Sequence, residues 1–213
     1  MHKRSSVIFI AATLASVCVL SVTQLFAADR NHPAPEPSPA TREAAGAPKS
    51  VPAGPSNAVA PQLRQLDGLA GHWTVRQSMW SNPAKPPTVD NGSAIFTAVL
   101  GGRHLRQDLR VDSAGKTFKG LGYIGYDNTT GKYDSLWMDV NFTGMIMAHG
   151  DYDAVKQTYI FTGAVPDPAQ GGTMSPLREV MQVRDADHFV YEYYERHGGR
   201  EALIIRLQYT RAR

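Results

Sequence analysis

Between Gly71 and Arg211, apolar and polar residues alternate with a period of two in a series of short runs. This alternation is typical of β-strands, because successive side chains of a strand point to opposite faces of its sheet. No amphipathic run of helical length interrupts the series. The pattern predicts about ten strands, at residues 71–80, 92–99, 103–112, 117–126, 132–140, 143–151, 157–164, 177–184, 188–196 and 201–211.

Turn residues separate these strands, and most connections are too short for a crossover. The turn signals are Asn91-Gly92, Gly101-Gly102, Ser113-Ala114-Gly115, residues 127–131 and residues 197–199. A longer stretch from Pro166 to Pro176 is rich in Gly and Pro and predicts a loop. Neighbouring strands are therefore expected to pair as antiparallel hairpins, in a single all-β barrel or sandwich.

The alternation also assigns side chains to faces of the sheet. The apolar face of the first strand carries Trp73, Val75, Gln77 and Met79, and that of the last strand carries Leu203, Ile205, Leu207, Tyr209 and Arg211. The strand at 132–140 is ambiguous, because Tyr133 and Trp137 lie opposite Leu136, Met138 and Val140. Such a pattern fits a strand that is covered on both faces.

Residues 1–27 have the three parts of a secretory signal peptide. Lys3 and Arg4 give a positive start, an apolar run follows, and small residues precede the expected cleavage after Ala27. Cleavage predicts an exported protein, periplasmic or secreted, that has no membrane span once the signal is removed. An uncleaved anchor is the alternative, since the uncharged stretch 5–28 is nearly long enough to cross a bilayer.

Residues 28–61 are rich in Pro, Ala, Ser and Gly and contain almost no large apolar side chain. A segment of this composition buries too little surface to offset its chain entropy, so it is predicted to be a disordered linker. The barrel domain is expected over residues 62–213. Leu63, Leu66 and Leu69 predict one short helical turn before its first strand.

Charge and cysteine content narrow the function classes. The chain has 22 basic and 19 acidic residues, and loss of a leader that contains Lys3 and Arg4 leaves 20 against 19. A nearly neutral domain has no electrostatic footprint for nucleic acid, so no nucleic-acid partner is expected. Because Cys18 is the sole cysteine and lies in the leader, the mature protein is expected to have no disulfide or thiolate site.

Residues 120–125 match the dinucleotide-binding pattern G-x-G-x-x-G. That site requires a helix directly after the glycines, whereas a hairpin signal follows here, so the glycines are predicted to mark a bend in a strand. The five histidines of the domain show no metal-ligand spacing, and no serine lies in a Gly-x-Ser-x-Gly elbow. We therefore predict no cofactor, no metal ion and no catalytic residue, which argues against an enzyme without settling the question.

Several short motifs occur together along the domain: Leu100-Gly101-Gly102-Arg103, Gly125-Tyr126-Asp127, Thr130-Gly131-Lys132-Tyr133, Trp137, Asp139 and Gly150-Asp151-Tyr152-Asp153. With Leu69, Gly71 and Trp73 before them and Tyr209-Thr210-Arg211 after them, the set resembles DUF1579, a bacterial family of uncharacterised domains. Gly71-x-Trp73 also resembles the opening strand of lipocalin-type (calycin) barrels. The resemblance implies an exported bacterial protein with a lipocalin-like, single antiparallel β-barrel, and it implies no activity.

The resemblance to calycin barrels also implies how one end is closed. There, the tryptophan of the opening Gly-x-Trp packs against a basic residue near the end of the final strand, so Arg211 is expected to stack on Trp73 beside Gly71. Fatty-acid-binding barrels carry Arg-x-Tyr in the closing strand, with both side chains aimed at a carboxylate in the lumen. Here Arg206 and Tyr209 have a spacing that sends them to opposite faces, so that device is not expected.

Such barrels usually work through what they hold inside. Polar or aromatic side chains on the apolar faces are therefore candidate ligand contacts, namely Gln77, Gln107, Trp137, Asp139, Glu179 and Tyr193. The alternatives are that these groups pair with one another, and that Asp139 binds backbone amides at a strand end.

The favoured hypothesis for the function is a binder or carrier of a small hydrophobic or amphipathic molecule. The alternative is an interaction or scaffold domain with a filled barrel, and an enzyme is a distant third. The sequence does not indicate an oligomeric state.

Overall fold

The structure is a computed structural model that describes residues 58–167, 170–197 and 199–213. A 3₁₀ turn (Pro61–Leu63) and a one-turn helix, α1 (Arg64–Asp67), precede the strands. The strands are β1 (Gly71–Met79), β2 (Thr88–Val99), β3 (His104–Ser113), β4 (Lys116–Asp127), β5 (Lys132–Asp139), β6 (Phe142–Asp153), β7 (Thr158–Asp167), β8 (Thr173–Val183), β9 (His188–His197) and β10 (Arg200–Arg211). The predicted leader and nearly all of the predicted linker lie outside the described residues.

The ten strands form one closed barrel. Each strand pairs antiparallel with its neighbours along the chain, and β1 pairs with β10 to complete the circle. This up-and-down order follows from the short connections, and it leaves no sheet edge along the β1–β10 seam. The predicted fold class, an all-β single antiparallel barrel of about ten strands, is confirmed. No helix in the described part of the chain is long and apolar enough to cross a membrane.

Two predicted turns differ from the structure. Asn91 and Gly92 lie inside β2, where they pair with Arg76 and Val75 of β1, so pairing on both sides overrides local turn chemistry. Pro166 and Pro176 likewise lie in strands, because the β7–β8 hairpin continues to Asp167 and Thr173. Proline is tolerated there because neither proline has a ladder partner on the outer side of the hairpin, in β6 or β9.

One end of the barrel is closed by residues 60–70, which we call the N-terminal plug. Leu63, Leu66 and Leu69 are buried and belong to the barrel core, as the predicted helical turn requires. The Tyr133 hydroxyl lies 3.1 Å from the carbonyl oxygen of Gln62 and 3.1 Å from the side-chain oxygen of Gln65. Burial raises the pKa of Tyr133 to about 12, so it stays a neutral donor to the plug.

The contact expected between Trp73 and Arg211 is present at this closed end. The guanidinium carbon lies 4.2 Å from the centroid of the Trp73 ring. The indole Nε1 donates to the Leu69 carbonyl at 2.9 Å, and Arg211 donates to the carbonyls of Ala70 and Gly68 at 3.0 and 2.7 Å. Gly71 has a φ of +132°, a backbone conformation that favours glycine, and a Cβ there would lie 2.9 Å from Arg211 Nη1 and so displace the guanidinium. These bonds tie β1, β10 and the plug together.

Aromatic rings fill the interior next to the plug. Phe189 stacks on Tyr209, with ring centroids 4.1 Å apart. Phe189 also packs edge-to-face on Trp73, with centroids 4.7 Å apart. On the opposite wall Tyr159 packs on Tyr133 at 5.1 Å. This half of the barrel is therefore a packed core.

The face assignments hold over most strands and fail at one end of β10. A bulge at Ile204 places Leu203 opposite Tyr194, which faces outward, instead of on the inner face as predicted. One inserted residue reverses the parity of all residues beyond it, and a bulge leaves no clear mark in the alternation. Met79 is also 39 % exposed, so the predicted apolar face of β1 ends at Gln77.

Candidate ligand-binding site

The other end of the barrel, where β1–β2, β3–β4, β5–β6, β7–β8 and β9–β10 are connected, has a different interior. Apolar side chains on its inner wall pack against the core while keeping part of their surface accessible; they include Phe118, Trp137, Ile146, Val165 and Tyr191. We call this end the open end and the interior of this half the mouth. The six predicted contact residues, Gln77, Gln107, Trp137, Asp139, Glu179 and Tyr193, all lie on inner-face positions of their strands.

Glu179 is the central polar group of the mouth. It lies on β8 between the buried residues Leu177 and Met181, and it is only 2 % exposed. The side chains of Ser135 and Tyr191 are within hydrogen-bonding reach of its carboxyl, which favours the charged form, but burial outweighs them and raises the pKa of Glu179. Its Oε2 atom is buried and has no hydrogen-bond partner among the described residues. A buried polar atom in this condition costs about 1–3 kcal/mol of stability.

Two tyrosines of β9 stand beside this carboxyl. Tyr193 is the direct cross-strand partner of Glu179, and Tyr191 is two residues away on the same inner face. Burial raises the pKa of both hydroxyls, and negative charge adds to the effect, from Glu179 at Tyr191 and from Glu195 at Tyr193. Both tyrosines therefore remain neutral hydrogen-bond donors towards carboxylates.

Trp137 forms part of the mouth's wall on β5. Its indole lies over Gly120 and Gly122 of β4, where a Cβ at position 120 would overlap the ring and one at position 122 would lie 3.1 Å from Cε3. Phe118 stacks parallel to it, with centroids 6.5 Å apart. The glycines of the dinucleotide-like motif thus make room for a tryptophan, a role that differs from the predicted bend and follows from close packing across the strand pair.

Asp139 positions the Trp137 ring. Its Oδ2 accepts a hydrogen bond from Trp137 Nε1 at 2.9 Å, and its Oδ1 accepts one from the backbone amide of Asn141 at 2.8 Å. The second bond is the strand-end interaction that the sequence left open as an alternative. Asp139 is thus a carboxylate held in place beside an aromatic ring on the inner wall.

The two glutamines have partners other than Asp139 and Glu179. Gln107 of β3 donates from Nε2 to the Tyr209 hydroxyl at 2.8 Å, across the barrel towards the closed end. Gln77 is 5 % exposed and pairs with Asp90 and Leu207 on the neighbouring strands. The structure therefore brings Trp137 together with Asp139 and Glu179 together with Tyr193. Gln107 lies near Trp137, since both side chains border Gly122, while Gln77 occupies a separate part of the wall.

The wall itself is incomplete near the mouth. Pairing between β6 and β7 covers residues 148–153 and 158–163. Within the described residues, no residue of Phe142–Met147 has a ladder partner on β7, and only Phe142, Ile146 and Met147 of this stretch have one on β5. We call this unpaired stretch the wall gap. Ile146 lies on the inner side of β6 at the gap, and Met145 and Met147 lie on its outer side, 64 % and 56 % exposed.

Carboxylates inside the mouth differ from those outside in their partners. On the outer face, ion pairs are close: Arg206 lies 2.7 Å from Glu192, Arg178 lies 2.7 Å from Glu201, and Lys132 lies 2.8 Å from Asp151. Glu179 and Asp139 have no such cationic partner within the described part of the chain, and their neighbours are aromatic or hydroxyl groups.

Sequence reasoning missed Ser135 and did not select Tyr191. Ser135 is two residues before Trp137 and Tyr191 is two before Tyr193, so the alternation placed both on the right face. A serine in a strand has no further signal, and a tyrosine is ordinary in a strand. In the described residues, no group of three or more His, Cys, Asp or Glu side chains could hold a metal ion. The arrangement can therefore accept hydrogen bonds and provide aromatic surface.

Comparisons with known proteins address the fold and the family. The structure resembles the crystal structure of Rv2717c from M. tuberculosis with a TM-score of 0.53 and 19 % sequence identity, covering 73 % of this chain and all of that one. It also matches a redesigned beta barrel, b11L5F_LGL, at a TM-score of 0.38 and 12 % identity over 70 % of this chain and 96 % of the other. The first likeness shows a common fold and nothing about ligands. No curated protein has significant sequence similarity to the chain.

The family model described as "protein of unknown function (DUF1579)" matches residues 60–211, which span the plug and all ten strands. The match covers more than half of the chain. The chain therefore belongs to the DUF1579 family.

Proposed function

We propose that this protein binds a small hydrophobic or amphipathic molecule in the mouth of its barrel. The observation that carries the proposal is Glu179, an almost fully buried carboxyl group with an unpartnered Oε2 on the inner wall. Natural proteins hydrogen-bond nearly all of their buried polar groups, so a ligand that donates to Oε2 would supply a bond that the folded protein lacks. The partly accessible rings of Trp137 and Tyr191 beside it offer apolar surface to the same molecule.

The wall gap supports the proposal by giving the mouth a second approach. Ile146 on β6 and Val165 on β7 border the unpaired stretch from inside, and both are partly buried apolar residues. A ligand that enters here passes between apolar side chains before it reaches the carboxyl group. Strands without hydrogen bonds between them can separate at low energetic cost, since local opening is easiest where few bonds must break.

Titration of the purified protein with a panel of apolar and amphipathic compounds tests the proposal, with tryptophan emission as the signal. Trp137 is expected to report binding because its ring forms part of the mouth, whereas Trp73 lies 1 % exposed at the closed end and Trp80 lies beside Arg206, which pairs with Glu192 on the outer face. Trp137→Phe should abolish the emission change while calorimetry still detects binding. The absence of any binding heat across the panel would exclude the proposed function.

We further propose that the protein is exported by a cleaved signal peptide at residues 1–27 and acts outside the cytoplasm. The motifs that support this lie in the sequence, in Lys3, Arg4 and the apolar run that follows them. N-terminal sequencing of the protein from its host should begin at or near Ala28. A full-length, membrane-bound species would show instead that the segment is an anchor.

An interaction domain is the second candidate, and the outer face at the wall gap favours it. Met145 and Met147 are exposed beside a strand edge that has no partner, and such an edge can accept an added strand from another chain. Charged substitutions at both methionines should leave small-molecule binding unchanged under the first proposal. Loss of a self-association or partner complex in these variants would support the second.

A further inference from the structure

The charge of the mouth identifies a class of ligand more closely, on the premise that the proposed binding function holds. The inner-face positions of the described strands carry no Lys, Arg or His between the two ends of the barrel. Arg211 is an inner-face cation, but it lies at the closed end and is engaged by Trp73 and backbone carbonyls. Lys116 and Arg200 are exposed at strand ends on the open rim, and β9 ends there at His197. Below this rim a ligand carboxylate would meet no inner-face cation, and it would lie near inner-face carboxyl groups that include Asp139, Glu179 and Glu195.

Acidic groups on the same wall are placed next to aromatic rings. Tyr191 is within hydrogen-bonding reach of Glu179, and Trp137 donates to Asp139 at 2.9 Å. Tyr193 adds a third ring, directly opposite Glu179 on the neighbouring strand. Aromatic faces and carboxylates both attract a positive charge, the first through the ring quadrupole and the second through direct ion pairing.

The unpartnered atom fixes which kind of cation fits. Glu179 Oε2 can accept a hydrogen bond, so the complementary group is one that carries an N–H and a positive charge. A metal ion is a poor match, because the described residues contain no cluster of three or more ligating side chains. We propose that the mouth binds a protonated organic amine with an apolar or aromatic body, with the ammonium group at Glu179 and the body against Trp137 and Ile146.

Three compounds that share one alkyl chain separate the outcomes: octylamine, octanol and octanoate. Calorimetry at pH 7 on the purified protein is expected to rank octylamine first, about tenfold tighter than octanol, because a charge-assisted hydrogen bond replaces a neutral one. Octanoate is expected to bind weakest. Octanol or octanoate binding as tightly as the amine would overturn the inference and leave the proposed function intact, whereas no heat from any of the three would count against the proposed function itself.

Glu179→Gln tests the assignment to this residue. It keeps the side-chain shape and removes the charge, so octylamine affinity should fall to that of octanol while octanol affinity stays within about twofold. Glu192→Gln is the matched control, since Glu192 lies on the outer face of β9 and pairs with Arg206; it should leave all three affinities unchanged. Unchanged amine affinity in Glu179→Gln would overturn the inference. The ranking on the unmodified protein decides the question even if the variant does not fold.

Discussion

The two halves of the barrel share strands but differ in what fills them. At the closed end Trp73, Tyr159 and Phe189 are each 1 % exposed, and the polar groups of Trp73 and Arg211 donate to backbone carbonyls of the plug. In the mouth, Trp137 and Tyr191 keep part of their surface accessible, and Glu179 holds an unpaired buried oxygen. A fold of this kind concentrates its stability in one half and accepts a cost in the other, which is the distribution expected of a binding protein.

The difference also shows in how charge is neutralised. Arg211 at the closed end stacks on an aromatic ring, donates to the backbone carbonyls of Gly68, Ala70 and Ala186, and lies 3.3 Å from the Asp187 carboxylate. Glu179 in the mouth is buried opposite a tyrosine with no cation near it. Ionising a buried carboxyl group without a counterion is costly, so a cationic ligand would stabilise the carboxylate at this position.

Trp73→Ala should produce the largest loss of stability. The indole is 1 % exposed, packs on Phe189 and donates to the Leu69 carbonyl, so truncation leaves a cavity and an unpaired carbonyl. We expect the free energy of unfolding to fall by about 3–5 kcal/mol, measured by urea denaturation. A loss below about 1 kcal/mol would show that the closed end is not the stable half.

Gly120→Ala should have the next largest effect, through the mouth. A Cβ at position 120 overlaps the Trp137 ring, so the indole must move away from β4. We expect a loss of about 1–3 kcal/mol from overpacking, with a red shift in tryptophan emission as the ring is displaced. In a Trp137→Ala background the same substitution should cost much less, and equal costs in the two backgrounds would refute the contact.

The sequence predicted the strands well because alternation survives wherever one face is buried. All ten predicted strands exist, and the buried faces of β1 and β3 follow from Trp73, Val75, Leu105 and Leu109. Glu179 was identifiable as a polar residue between Leu177 and Met181. Other features could not be identified from the sequence, because they depend on pairing between strands, which no local pattern encodes. They are the bulge at Ile204, the fit of Trp137 over the glycines of β4, and the wall gap.

Arg211→Ala tests how the closed end is held together, and it should lower the free energy of unfolding less than the two substitutions above. It removes the stack on Trp73 and the bonds to the plug carbonyls, but the Arg211 side chain is 28 % exposed, so water replaces part of what is lost. We expect a loss of about 1–2 kcal/mol in urea denaturation. Arg211→Lys should recover less than half of it, because lysine lacks the planar fork that reaches several carbonyls at once. Full recovery by lysine would mean that charge alone closes this end.

Glu179→Gln should change stability least, and its sign depends on pH. Burial raises the pKa of Glu179 in the folded protein, so folding favours the protonated carboxyl. Its contribution to stability is therefore complete below the unfolded pKa, about 4.3, and is lost as pH rises through the higher folded value. Tyr191 and Tyr193 face the carboxyl and stay neutral throughout this range, since their own pKa values are raised.

A glutamine at position 179 does not titrate, so its contribution to stability does not change with pH. The variant should match the unmodified protein or fall slightly below it at pH 4, and it should have a higher Tm than the unmodified protein at pH 8. Thermal melts of both proteins across this range measure the difference directly. A variant that is less stable at pH 8 would show that the carboxylate is already well solvated in the mouth, and would remove the contrast between the two ends.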